Sequence, residues 1–130
     1  MTPRARGLYS TPSEGQSAYS LFAKGSEFLQ QGHPHQAAMF LSRARLMEPE
    51  KASIREALGI AYFRIRRWDA AEAEFRKVLE LSPVNDYAHY ALGRVLEKQG
   101  RMHEANGHFK LASSLQPDSE QYRARIKELD

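Results

Sequence analysis

The chain contains no cysteine, which removes disulfides, thiolate metal sites and cysteine nucleophiles together and leaves stability to helix packing. No apolar run reaches the roughly 18 residues of a membrane span, and the opening MTPRARGLYSTPSEG has basic residues with no apolar segment behind them. Neither a span nor a signal peptide is expected, and cytoplasmic residence fits. Charge of one sign is also scarce. The 19 Lys and Arg against 16 Asp and Glu leave a formal +3 spread along the chain, only a weak pull toward polyanions. At 130 residues and 42% hydrophobic content the length suits one domain with an ordinary core.

Converging catalytic groups are missing as well. His103 and His108 resemble the histidines of a zinc-protease helix, but they lie five positions apart rather than four. Five steps set the imidazoles roughly 140° apart around a helix, too far to share one metal. His33-Pro34-His35 has no third ligand near it, Ser113-Ser114 has no histidine partner at a meaningful spacing, and no Gly-rich phosphate loop occurs. The expectation is a protein without enzymatic activity, cofactor or metal.

What the chain does have is a period. Gly25, Gly59 and Gly93 are 34 residues apart, and the same step relates Ala37, Ala71 and Ala105; Leu41, Phe75 and Phe109; and Pro49, Pro83 and Pro117. Four positions in phase over three units signal a stack of repeats. Small residues suit a close helix crossing, where a larger side chain would force the axes apart. On these residues the chain resembles the tetratricopeptide repeat family, helix-turn-helix units of about 34 residues. The resemblance covers 18 to 117. It implies an all-α, right-handed superhelical stack of three units, 18–51, 52–85 and 86–117.

Lys24, Arg55 and His89 depart from the family's apolar pattern, and Lys24 predicts a weakly packed first unit. Trp68 is expected to pack against its helix pair. Residues 1–16, with Pro3, Gly7, Pro12 and Gly15 among small polar residues, read as a flexible tail, although Thr11-Pro12-Ser13-Glu14 has the form of a helix start. Residues 118–130 predict a capping helix: Asp118 or Ser119 as cap, with Tyr122, Ile126 and Leu129 on one face.

The resemblance implies a concave surface built from the first helices, which in such stacks holds a peptide. Its expected residues are Tyr19, Phe22, Ser26 and Leu29 in the first unit, Ser53, Glu56, Ile60, Phe63 and Arg64 in the second, and Tyr87, Tyr90, Arg94, Glu97 and Lys98 in the third. Tyr87, Tyr90 and Arg94 are expected to keep their tips wet. Aromatic groups with arginines suit a short peptide with apolar anchors and some acidic character. Some family members grip chaperone tails through Lys and Asn; the matching places here hold Phe22, Ser26, Ala57, Tyr87 and Ala91, so that clamp is absent.

The leading expectation is therefore a non-enzymatic adaptor or scaffold that recruits another protein. A second reading is homo-oligomerisation through the apolar run Ala38-Met39-Phe40. A third, implied by the family, is a small chaperone of a secreted or assembling client. Nucleic acid is disfavoured: Arg64-Ile65-Arg66-Arg67-Trp68 interleaves basic and aromatic groups, but Glu56, Glu72, Glu74 and Glu80 offset the charge.

Overall fold

A computed structural model describes residues 16–129. Seven helices occur among them: α1 Ala18–Gln30, α2 Pro34–Met47, α3 Ala52–Arg64, α4 Trp68–Leu81, α5 Asp86–Lys98, α6 Met102–Leu115 and the single turn α7 Glu120–Arg123. The expected tail and the helix start at Thr11 fall on residues outside the described ones. None of the described helices is long and apolar enough to cross a membrane.

Local chemistry sets the boundaries. Ser17 caps α1 through the Ser20 amide at 3.0 Å, Asn85 caps α5 through the Ala88 amide at 2.9 Å, and Ser119 caps α7. Pro34 opens α2, where its missing N–H is no loss. The turns after α1, α3 and α5 share one form. The residue three beyond each helix end returns its amide to a carbonyl five back, as in His33 to Phe28, Arg67 to Tyr62 and Arg101 to Leu96. The residue before it has a positive φ: 82° at Gly32, 65° at Arg66 and 79° at Gly100.

Each pair crosses tightly at its periodic glycine. A Cβ on Gly93 would lie 2.5 Å from Phe109 Cε1, one on Gly59 2.8 Å from Phe75 Cζ, and one on Gly25 2.5 Å from Leu41 Cγ. The in-phase glycines and the Leu41/Phe75/Phe109 series are thus the two sides of one contact. Ala37, Ala71 and Ala105 are buried beside it. Lys24 is exposed and 3.6 Å from Glu27, whereas its counterparts Leu58 and Leu92 are fully buried. The same repeat position is thus solvated in α1 and sealed in α3 and α5.

The C-terminal cap is shorter than expected. The helix stops at Arg123 because Asn106, itself buried, captures the backbone that would continue it. Asn106 Nδ2 donates to the Lys127 carbonyl at 2.7 Å, and the Lys127 amide donates to Asn106 Oδ1 at 2.8 Å. That amide would otherwise close a helical turn on Arg123. Tyr122 is buried and Ile126 packs on the core as foreseen, but Leu129 remains exposed.

Candidate functional site

The first helices of neighbouring repeats, α1 with α3 and α3 with α5, approach each other more closely than the second helices do. They therefore line the inner side of the stack. Between α3 and α5 lies a cleft of about 230 Å3 walled by Ile60, Phe63, Arg64, Tyr87, Tyr90, Ala91 and Arg94, with Phe75 also lining it. Six of these were expected from the sequence. Ala91 is one of the places matched to the family's clamp, and Phe75, expected only at the helix crossing, also reaches the cleft.

Two guanidinium groups and no carboxylate line this cleft. Arg94 lies over the Phe63 ring at 5.3 Å and donates from Nη1 to the Tyr90 hydroxyl at 3.3 Å. Its Nε is buried without a hydrogen-bond partner, 3.7 Å from the Glu97 carboxylate. Arg64 is exposed and reaches the Leu29 carbonyl at 2.9 Å. Burial pushes the Tyr87 hydroxyl above its ordinary pKa, with Glu56 and Tyr90 adding to the shift and Arg64 and Arg94 opposing it. Burial, and then Asp86, likewise raises the Glu56 carboxyl.

Several expected groove residues are engaged differently from the expectation, inside the cleft or away from it. Tyr90 is only 6% exposed, so its tip is not wet. Its hydroxyl accepts from Gln121 at 3.2 Å and its ring lies 5.0 Å from Tyr122. The C-terminal cap lands on this tyrosine, a contact between residues 31 positions apart that helical spacing does not reveal. Tyr122 in turn donates to Asp86 at 2.7 Å. Burial, then that bond, pushes its hydroxyl well above the ordinary range. Glu97 is bound by Arg125 at 3.2 Å and Lys127 at 3.1 Å rather than presented to a ligand. Lys98 is exposed over the Trp68 ring.

Tyr19 and Phe22 belong to a separate hollow with Ala18, Glu48, Lys51, Ser53 and Ile54, also about 230 Å3. Tyr19 is 78% exposed. Ser26 and Glu56 are half-buried and line neither space. Trp68 opens α4 and meets Phe63 edge-on at 5.2 Å.

The apolar run Ala38-Met39-Phe40 does not form a shared face. Ala38 is buried, Phe40 stacks on Phe28 at 5.5 Å, and only Met39 is open, at 47%. Three consecutive helical residues span about 200° around the axis, so they point different ways. His103 and His108 also part company: His103 is exposed, and His108 turns to His89. Among the described residues no group of three or more His, Asp or Glu could hold a metal.

An all-helical stack whose first helices line an inner cleft defines a helical-repeat protein. A model of the tetratricopeptide repeat matches residues 22–86 and again 57–120, more than half of the sequence; the chain belongs to the tetratricopeptide repeat family. It is 26% identical over 106 residues to Superkiller complex protein 3 of Mus musculus, matching over 82% of its own length but only 7% of that protein's. The fold is similar to the crystal structure of MamA (TM-score 0.84, 23% identity, 87% of this chain and 66% of that one). It is also similar to the first TPR of Spaghetti (RPAP3) bound to an HSP90 peptide (TM-score 0.81, 19% identity, 87% and 90%). A third similar fold is YrrB, a TPR protein with an unusual peptide-binding site (TM-score 0.81, 19% identity, 92% and 60%).

Proposed function

We propose that the chain is a non-enzymatic adaptor that holds a peptide segment of a partner protein along its first helices, with one large apolar side chain seated between α3 and α5. The observation that carries this reading is the lining of that cleft: aromatic and aliphatic walls, two guanidinium groups and no carboxylate. Its volume of about 230 Å3 falls below the roughly 300–1,000 Å3 of small-molecule sites and suits a side chain. Arg64 and Arg94 favour an acidic residue next to that anchor. Peptide complexes of the same fold, such as the Spaghetti (RPAP3) domain with its HSP90 peptide, support a peptide as the occupant.

Selection of displayed random peptides on the wild type tests the reading, with Ile60→Ser/Arg94→Gln as the comparison protein. Tyr90 is left intact because its removal would open the core. Enriched peptides should pair a large apolar residue with Asp or Glu and lose about tenfold or more in affinity on the double variant. Peptides that bind both proteins equally would place the binding surface elsewhere.

A further inference from the structure

The turn between α3 and α4 carries an arginine where the equivalent turns carry glycine. Arg66 has φ 65°, and its counterparts are Gly32 and Gly100 at 82° and 79°. A Cβ at either glycine would meet nothing within 4 Å, so space does not explain the difference. Only backbone strain separates the residues, and glycine is the relaxed choice. An arginine here is therefore held against the local preference. The attraction of cations to a helix C-terminus does not account for it, since an arginine at position 65 would obtain the same benefit on an ordinary backbone.

Arg66 has company. Arg64 and Arg67 flank it, and Lys98, the counterpart of Arg64 one repeat on, joins them through Trp68. The Lys98 ammonium lies 5.9 Å from the Trp68 ring, Trp68 meets Phe63, and Arg67 lies over Tyr62 at 5.6 Å. All four cations are exposed. None forms an ion pair with a carboxylate among the described residues, whereas Arg101 in the next turn is taken by Glu72 at 3.1 Å and Glu104 at 2.7 Å. Asp69, the acid closest in sequence, accepts from Gln99 at 3.0 Å.

We infer that this edge of the stack is a docking surface for a short acidic tract of a partner protein. Charge complementarity commits it to an anion. Its limits commit it to a short one: Asp69 lines the same hollow as Arg66, Arg67 and Trp68, and Glu72 and Glu104 already hold Arg101 of the next turn, so the unpaired cations are confined to this one turn and Lys98 beside it. A polynucleotide backbone needs a longer track. Arg64 lines the α3–α5 cleft as well, which makes the surface continuous with it. The inference rests on the groove reading only for the direction in which the partner's chain continues.

Arg66→Gly tests this cleanly, because it removes one charge and also relieves the left-handed backbone. Its thermal midpoint should equal or exceed that of the wild type. Binding of fluorescein-labelled octaglutamate at low salt, followed by anisotropy, should weaken about threefold or more in Arg66→Gly and similarly in Lys98→Gln. It should weaken less in Ile60→Ser/Arg94→Gln, which removes one cation of the adjoining cleft and none of the turn; a loss in that variant larger than the loss in Arg66→Gly would favour the cleft over the turn edge and overturn the inference. Failure of the wild type to bind octaglutamate, or equal binding by Arg66→Gly, would overturn it. So would tighter binding of octathymidylate than of octaglutamate, which would assign the surface to nucleic acid instead.

Discussion

One place in the fold occurs three times and is filled three ways. In the first repeat it holds Leu21 and Phe40, packed with Ala44 and Ile54. In the second it holds Arg55 and Glu74, bonded at 3.1 Å, with Arg45 of the preceding repeat on the other carboxylate oxygen. In the third it holds His89 and His108, with Nδ1 atoms 3.1 Å apart. The polar versions also reach back to the linker. Arg55 Nε donates to the Pro49 carbonyl at 2.9 Å, and His89 Nε2 lies 3.0 Å from the Pro83 carbonyl. Arg123, one period further on, bonds the Pro117 carbonyl in the same manner. The backbone thus fixes a volume between two helices but leaves its chemistry open, provided every buried polar atom finds a partner.

The histidine pair shows how strict that condition is. A carbonyl only accepts, so His89 Nε2 carries its proton toward Pro83. In a neutral His89 the Nδ1 is then an acceptor, and His108 Nδ1 must be the donor. Ring centroids 5.3 Å apart, with the two nitrogens between them, fit such a head-to-head bond.

The sharpest break in the comparison is Glu74→Ala. Glu74 is 3% exposed, and its loss strands two largely covered guanidinium groups, so urea unfolding should report a loss of about 3 kcal/mol. Importing the first repeat's solution with Arg55→Leu/Glu74→Phe, together with Arg45→Leu so that neither guanidinium partner of Glu74 is left unpaired, should return stability to within about 1 kcal/mol of the wild type or raise it. A triple variant as unstable as Glu74→Ala would show that the place does not exchange chemistry at constant volume.

A smaller effect separates two glycines of the third repeat. Gly93→Ala drives a methyl into Phe109 and should cost about 1–3 kcal/mol despite alanine's better helix propensity. Gly107→Ala lies on α6 with nothing within 4 Å and should gain up to about 1 kcal/mol. Thermal denaturation of the two variants checks both signs.

The smallest effect is the response of the third repeat to acid. Burial, then His89 and Arg76, hold His108 below the ordinary imidazole value of 6.5, with Glu104 opposing. The unfolded chain therefore takes up this proton first as pH falls. The contribution is fully present above 6.5 and is lost as pH drops toward the lower folded value. Urea midpoints should fall between about pH 8 and pH 5, and His108→Phe should flatten that slope. An unchanged slope would clear the pair of responsibility.

The repeats, their helix pairs and their tight crossings were legible because each depends on a residue recurring at a fixed local spacing. Six residues of the α3–α5 cleft were legible for the same reason, since helical spacing says which side chains share a face. Glu74 was not. Among Glu56, Glu72 and Glu80 it looks like one more surface acid, and its partners lie 19 and 29 positions away. The burial of Tyr90 and the early end of α7 escaped similarly, because Gln121 and Asn106 act over 31 and 21 positions. The apolar run at Ala38-Met39-Phe40 misled by adjacency in sequence, which on a helix means divergence in space.

The sequence by itself determined that three helix pairs recur among the described residues at a 34-residue spacing, and which small residues let them touch, because a period is a local property of the chain. Only the tertiary structure decided which polar groups are buried together, which tyrosine belongs to the core, and where the positively charged cleft opens. Those outcomes depend on distances between helices far apart in sequence, set by the packing of side chains and the need of each buried polar atom for a partner.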